Sequence, residues 1–188
     1  MKTICQTPQM LIRELLESDI PGLSLMLSDP EVMRNSVRGV CDETATREFV
    51  RWCLGCYATH AVGPWALIDR SDGSLIGFCG VSPEAVGAVV EMNLGYRLAR
   101  RFWGRGLATE AARYVVSQVF EQGLASSIVV IIEPEHVASL RVAEKTGFTD
   151  FSELVFHGKP VRLYRLTADR WLAQCRSSTP SSPSPASS

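Results

Sequence analysis

The chain has 188 residues, 46% of them apolar and 21% charged, enough for one domain with a sizeable core and too few for two domains of ordinary size. Its net charge of −1 supplies no global attraction to nucleic acid or to an anionic membrane. No apolar run approaches the roughly 18–20 residues that span a bilayer, and no apolar stretch of signal-peptide type precedes Arg13 and Glu14, so no membrane partner and a cytoplasmic address are expected.

In chain order, residues 1–10 read as an extension ahead of a first strand, Leu11 to Leu15. A helix follows that Ser18 or Asp19 can cap, with Pro21 in its first turn and an apolar stripe of Leu23, Met26 and Leu27. Asp29-Pro30 opens a second short helical piece, and Thr44 to Cys56 carries Phe49, Val50, Cys53 and Leu54 at helical spacing. Trp65 to Asp69 and Leu75 to Val81 form a hairpin around the Asp72-Gly73 turn signal. Val89 to Leu98 alternates: Val90, Met92, Leu94, Tyr96 and Leu98 share one face, and Val89, Glu91, Asn93, Gly95 and Arg97 the other.

The next helix sets Ala108, Ala111, Ala112, Val115, Val119 and Phe120 on one side and stops near Gly123. Ile128 to Ile132 is a continuous apolar run of the kind a doubly covered central strand shows. Ala138 to Lys145 is a helix closed by Gly147, and Phe151 to Phe156 with Val161 to Leu166 make a last hairpin. This order predicts an α/β fold, a mixed sheet of about seven strands with helices on both faces, over residues 11–175. From 176 to 188, seven serines and three prolines predict a disordered tail. Of six cysteines only Cys53 and Cys56 form a Cys-x-x-Cys pair, inside a helix, and the three histidines are scattered; reduced thiols and no metal are expected.

One stretch points to chemistry. Arg97, Arg100, Arg101 and Arg105 fall within nine residues, with no acid between Glu91 and Glu110. Gly104 and Gly106 remove two Cβ atoms where strand turns into helix, so unpaired N–H groups at the helix start can face an anion. A phosphate-bearing ligand is implied. The lysine and hydroxyl of the NTPase loop are absent, and the dinucleotide fingerprint would need a small residue where Thr109 stands.

Arg101-x-x-Gly104-x-Gly106 resembles the pyrophosphate loop of the GCN5-related N-acetyltransferase (GNAT) superfamily. Phe102-Trp103-Gly104-Arg105-Gly106-Leu107-Ala108-Thr109-Glu110-Ala111 resembles the corresponding run of its RimJ/RimL branch, and Pro134 to Phe148 resembles that branch's second motif. Leu11 to Leu15 and Leu27 to Arg34 resemble its N-terminal strand and helical turn, so the likeness extends from Leu11 to Thr167. The resemblance implies the GNAT fold, acetyl-CoA as cosubstrate, and transfer to a primary amine, either of a protein N-terminus or of a small molecule. It implies no nucleic-acid partner and a monomer or homodimer.

The resemblance also assigns residues. Backbone groups of Arg101, Phe102, Trp103, Gly104, Arg105, Gly106, Leu107 and Ala108 would hold the pyrophosphate. Tyr96, Arg97 and Leu98 would line the thioester arm, and His136, Ser139 and Lys145 would complete the cosubstrate site. Ser139 would also protonate the leaving thiolate. Asn93 occupies the place of the glutamate many relatives use as base. Glu91, two residues earlier on the same strand face, can accept the amine proton directly or through a water; an external base, or an amine that arrives already neutral, is the alternative. Ala143 stands where many relatives have tyrosine, and His136 replaces the branch's asparagine. These departures keep open a catalytically inactive acyl-CoA-binding domain.

Overall fold

The computed structural model describes residues 2–36 and 39–177. Strands β1 (Thr3–Gln6), β2 (Met10–Arg13), β3 (Pro64–Asp69), β4 (Leu75–Val86), β5 (Val89–Leu98), β6 (Ser127–Ile132), β7 (Phe151–Phe156) and β8 (Lys159–Thr167) form one mixed sheet in the order β1-β2-β3-β4-β5-β6-β8-β7. Helices α1 (Ile20–Leu27), α2 (Pro30–Met33), α3 (Glu43–His60), α4 (Leu107–Glu121), α5 (Val137–Thr146) and α6 (Ala168–Ser177) cover it. Among the described residues no helix is long and apolar enough to cross a membrane.

Eight strands replace the expected seven because residues read as an extension pair with the sheet: Thr3–Gln6 lies antiparallel to β2, with Gln6 opposite Leu11. At the other end, Arg176 and Ser177, assigned to the tail, belong to α6. The remainder of the expected tail lies outside the described residues. The 75–81 strand also runs further than expected, to Val86, and turns through Gly87 (φ 61°) directly into β5. β4 and β5 thus make one long hairpin, and its overhanging tip leaves Val89 and Val90 exposed despite their apolar side chains.

Alternation fixes what each face of the sheet meets. Leu67, Cys79, Val81, Leu94, Leu98, Ile128, Val130 and Leu166 pack with Ala111, Val115 and Val119 of α4 and with Ala143. Ala66, Phe78 and Ile68 pack on the opposite face with α1 to α3 through Leu23, Met26, Leu27, Val50 and Cys53. Asp29 caps α2 and Asp42 caps α3 by accepting from the Glu31 and Ala45 amides at 2.9 and 2.8 Å. Asp19 does not cap α1. Its carboxylate takes both prongs of buried Arg13 at 2.7 and 2.8 Å and the Leu16 amide at 2.8 Å, which fixes the exit of β2.

Candidate active site

β5 ends in a single 3₁₀ turn, Arg100–Phe102, and α4 starts five residues later. Gly104 (φ 75°) and Gly106 (φ 78°) are left-handed, and a Cβ on either would meet nothing within 4 Å. The loop backbone is therefore open to close approach at both glycines. Gly106 is the N-cap of α4 and supplies no capping side chain, so the N–H groups of Leu107, Ala108 and Thr109 have no helical acceptor. The α4 dipole adds partial positive charge there.

Phe102 and Leu107 are buried and anchor the loop; the Phe102 and Trp103 amides, expected to face the diphosphate, instead donate to the Ala99 and Arg100 carbonyls at 2.9 and 3.0 Å and close the 3₁₀ turn. Trp103 braces it too, its Nε1 donating to the Leu98 carbonyl at 2.8 Å. Arg101 and Arg105 lie 4.7 and 5.5 Å from the Phe102 ring centre, and Arg105 and Arg100 stand 3.8 Å from Asp69 and Asp29. Behind the loop, Gly106, Thr109, Glu110, Arg113, Tyr114 and Lys145 line a hollow of about 550 Å³. Lys145 is exposed, and its carbonyl accepts from Arg113 Nε at 2.8 Å. A neighbouring hollow of about 630 Å³, reaching Trp171 and Gln174, shares Arg113, Tyr114 and Lys145.

β5 and β6 are parallel neighbours joined at one register point, Asn93 opposite Val129. Past that point β5 continues to pair with β4, Leu94 with Val81 through Leu98 with Gly77. In such a strand alternate peptide groups turn away from the paired neighbour, so those of 94–98 on the β6 side open onto a wedge. Nothing lies within 4 Å of where a Gly95 Cβ would stand. Tyr96 bounds the wedge on the α5 side, its hydroxyl donating to the Ser139 carbonyl at 3.1 Å. Burial holds its phenol well above the usual range and therefore protonated.

Ser139 is buried in the first turn of α5, its Oγ 3.3 Å from His136 Nε2. Desolvation first, and then repulsion from Arg97, push the His136 pKa below its ordinary value, favouring neutral imidazole. Arg97 points to the opposite face. Its Nη1 donates to the Val32 carbonyl at 3.4 Å and contacts Met33 Sδ, so toward the wedge this residue presents backbone.

Glu91 shares that face, where Arg165 of β8 grips it from across β6, at 2.6 and 2.9 Å. The Arg165 guanidinium holds the Glu91 carboxyl below the usual carboxylate range. Asn93, between Glu91 and Gly95, has a buried Oδ1 without a hydrogen-bond partner.

The structure thus brings Tyr96, His136 and Ser139 together at the wedge. The loop from Arg101 to Ala108 lies just past its β5 side, with Lys145 behind the loop. Arg165 went unnoticed in the sequence. Its signal was a charge breaking the odd-numbered apolar series Val161, Leu163 on β8. Among the described residues no three His, Cys, Asp or Glu side chains cluster as a metal site. Among the described residues no disulfide forms: Cys41, Cys53, Cys56 and Cys79 are buried, Cys5 is half-buried and Cys175 is exposed.

The sequence pattern of the acetyltransferase (GNAT) domain matches residues 9–149. YkkB of Bacillus subtilis (strain 168), an uncharacterised protein, is 33% identical over 164 residues, which cover 87% of this chain and 95% of that one. Among solved structures, RimL, a ribosomal L7/L12 α-N-protein acetyltransferase in complex with coenzyme A, superposes with a TM-score of 0.75 at 17% identity, over 90% of this chain and 99% of that one. The aminoglycoside acetyltransferase AAC(6')-Ib in complex with coenzyme A has a TM-score of 0.71 at 18% identity, covering 87% and 98%. The chain belongs to the acetyltransferase (GNAT) family and shares the fold of these enzymes.

Proposed function

We propose that the protein is an N-acetyltransferase that moves the acetyl group of acetyl-CoA to a primary amine by direct attack in a ternary complex. The acceptor is the amine of a protein N-terminus or of a small molecule. The observation that carries this reading is the wedge at Asn93–Val129 opening beside an uncapped glycine loop. It offers an extended arm a strand edge to pair with and offers the arm's diphosphate a row of free N–H groups.

In this reading Gly104, Gly106 and the amides of 107–109 hold the diphosphate, with Arg101 and Arg105 adding charge. The hollow at Arg113 and Lys145 takes the adenosine end. A backbone N–H of 94–98 polarises the thioester carbonyl, and Gly95 leaves room for the acceptor. The thioester supplies the activated acetyl group. Glu91 accepts the amine proton through water, and Ser139, backed by neutral His136, returns a proton to the sulfur as the C–S bond breaks.

A non-catalytic acyl-CoA-binding module is the second reading, favoured by the Arg165 grip on Glu91 and by Asn93 at the usual glutamate position. The two separate in one assay. Steady release of free CoA with an amine panel, and an acetylated product by mass spectrometry, supports the enzyme. Tight acetyl-CoA binding with no amine-dependent release supports the module.

A further inference from the structure

We propose that Arg97 anchors a carboxylate on the acceptor, so that the amine acetylated belongs to a free amino acid. This rests on the acetyltransferase reading and deepens it. Among the described residues, Arg13, Arg34, Arg47, Arg165 and Arg170 bind carboxylates directly, and Arg100 and Arg105 stand 3.8 Å from one. Half-buried Arg162 rests on the Phe151 ring, 4.5 Å from its centre. Arg97, also half-buried, meets among the described residues the Val32 carbonyl at 3.4 Å and a thioether. Neither neutralises it, and a partly desolvated guanidinium without an anion is costly to keep.

The charge is felt at the site. After desolvation, the Arg97 charge is the second cause that lowers the His136 pKa, although its guanidinium lies on the α2 side of the sheet, against Val32 and Met33. The diphosphate has its own donors in the loop past the strand end, whereas the Arg97 side chain shares its face with Glu91, Asn93 and Gly95. Among the described residues of that face Arg165 is already occupied by Glu91, whereas Arg97 has no carboxylate partner.

Spacing selects the ligand. Residues two apart on a strand face have Cα atoms roughly 6.5–7 Å apart, and the Arg97 side chain extends from there toward α2, so an acceptor that reaches both Gly95 and Arg97 is a small molecule with its amine and its carboxylate at opposite ends of a short span. A bidentate guanidinium–carboxylate pair discriminates strongly against a neutral amide.

The test uses the full-length protein, first titrated with acetyl-CoA and then, CoA-saturated, with each of the twenty common L-amino acids and its α-carboxamide. Turnover of each is measured with acetyl-CoA. At least one free amino acid should bind and be acetylated, with kcat/KM roughly tenfold to a hundredfold above its carboxamide. Arg97→Met should bring that ratio close to one, mainly through KM, while the acetyl-CoA affinity stays within about twofold. Three results overturn the proposal: no free amino acid binding at millimolar concentration, carboxamides accepted as well as acids, or Arg97→Met weakening acids and amides alike. The last would make Arg97 a brace for α2. Failure of the unmodified protein to bind acetyl-CoA would instead contradict the acetyltransferase reading itself.

Discussion

Glu91 and Arg165 meet in a two-pronged salt bridge that reaches from β5 over β6 to β8, with distances of 2.6 and 2.9 Å. The bridge keeps Glu91 ionised throughout the range in which an amine titrates, and it also lowers the carboxylate's basicity. Glu91→Gln should therefore lower kcat/KM by about a hundredfold below the acceptor's pKa, the low end of general-base contributions of about 10²–10⁴. The gap should narrow above that pKa, where free amine is already present. A pH–rate profile equal to the parent's at every pH would remove Glu91 from the proton route.

The same pair has a stability signature. The folded pKa of Glu91 lies below its unfolded value, so its contribution is present above an unfolded pKa of about 4.3. It is lost as pH falls through the lower folded pKa. Arg165 is 42% exposed, which limits the contribution to about 1 kcal/mol. The unfolding midpoints of Glu91→Gln and the parent should differ slightly at pH 7 and converge on strong acidification.

Ser139→Ala should lower turnover while leaving the acetyl-CoA dissociation constant nearly unchanged, because thiolate protonation matters only as the C–S bond breaks. Calorimetry and initial rates on the same preparation make the comparison. Weaker CoA binding with full turnover would make this hydroxyl structural, a role its contact with His136 at 3.3 Å could also serve.

His136 titrates below an ordinary histidine because it is desolvated and, second, feels the charge of Arg97. Imidazole resonances followed by NMR should give a pKa below about 6.5, rising in Arg97→Met but only part of the way, since desolvation is the larger cause. Acid should weaken the fold through this group: protection is complete above the unfolded pKa and is lost as pH falls through the folded one.

How the sequence announced these features varied with their physics. The crossover was legible because two glycines, four arginines and a helix start leave few other uses for such a run, and β5 because its alternation lasts ten residues. β1 was not, since Thr3–Gln6 is four residues with only Ile4 and Cys5 half-buried, too short to show a period. α6 escaped because no residue in it is fully buried; Trp171 holds it by packing at a tilt against Phe120, ring centres 5.6 Å apart. The wedge has no signature of its own in the sequence, for one lost register is a property of two strands together. The Arg165 grip needed coordinates, because its partners lie 74 residues apart.

Gly106→Val should damage both fold and site. A β-branched residue at φ 78° costs roughly 1–2 kcal/mol of strain, and its side chain would fill the space where the diphosphate must approach. Losing one or two charge-assisted hydrogen bonds of roughly 1.5–3 kcal/mol each should weaken acetyl-CoA at least tenfold. Calorimetry on a variant shown by circular dichroism to be folded checks this; unchanged affinity would displace the loop from its role.

Amide hydrogen exchange with and without acetyl-CoA tests the central claim most directly. Binding should slow exchange in two places together: the amides of residues 94–98 that face the wedge, and those of residues 104–109 at the start of α4. Protection that spares both segments, or that appears only elsewhere on the protein, would contradict the account.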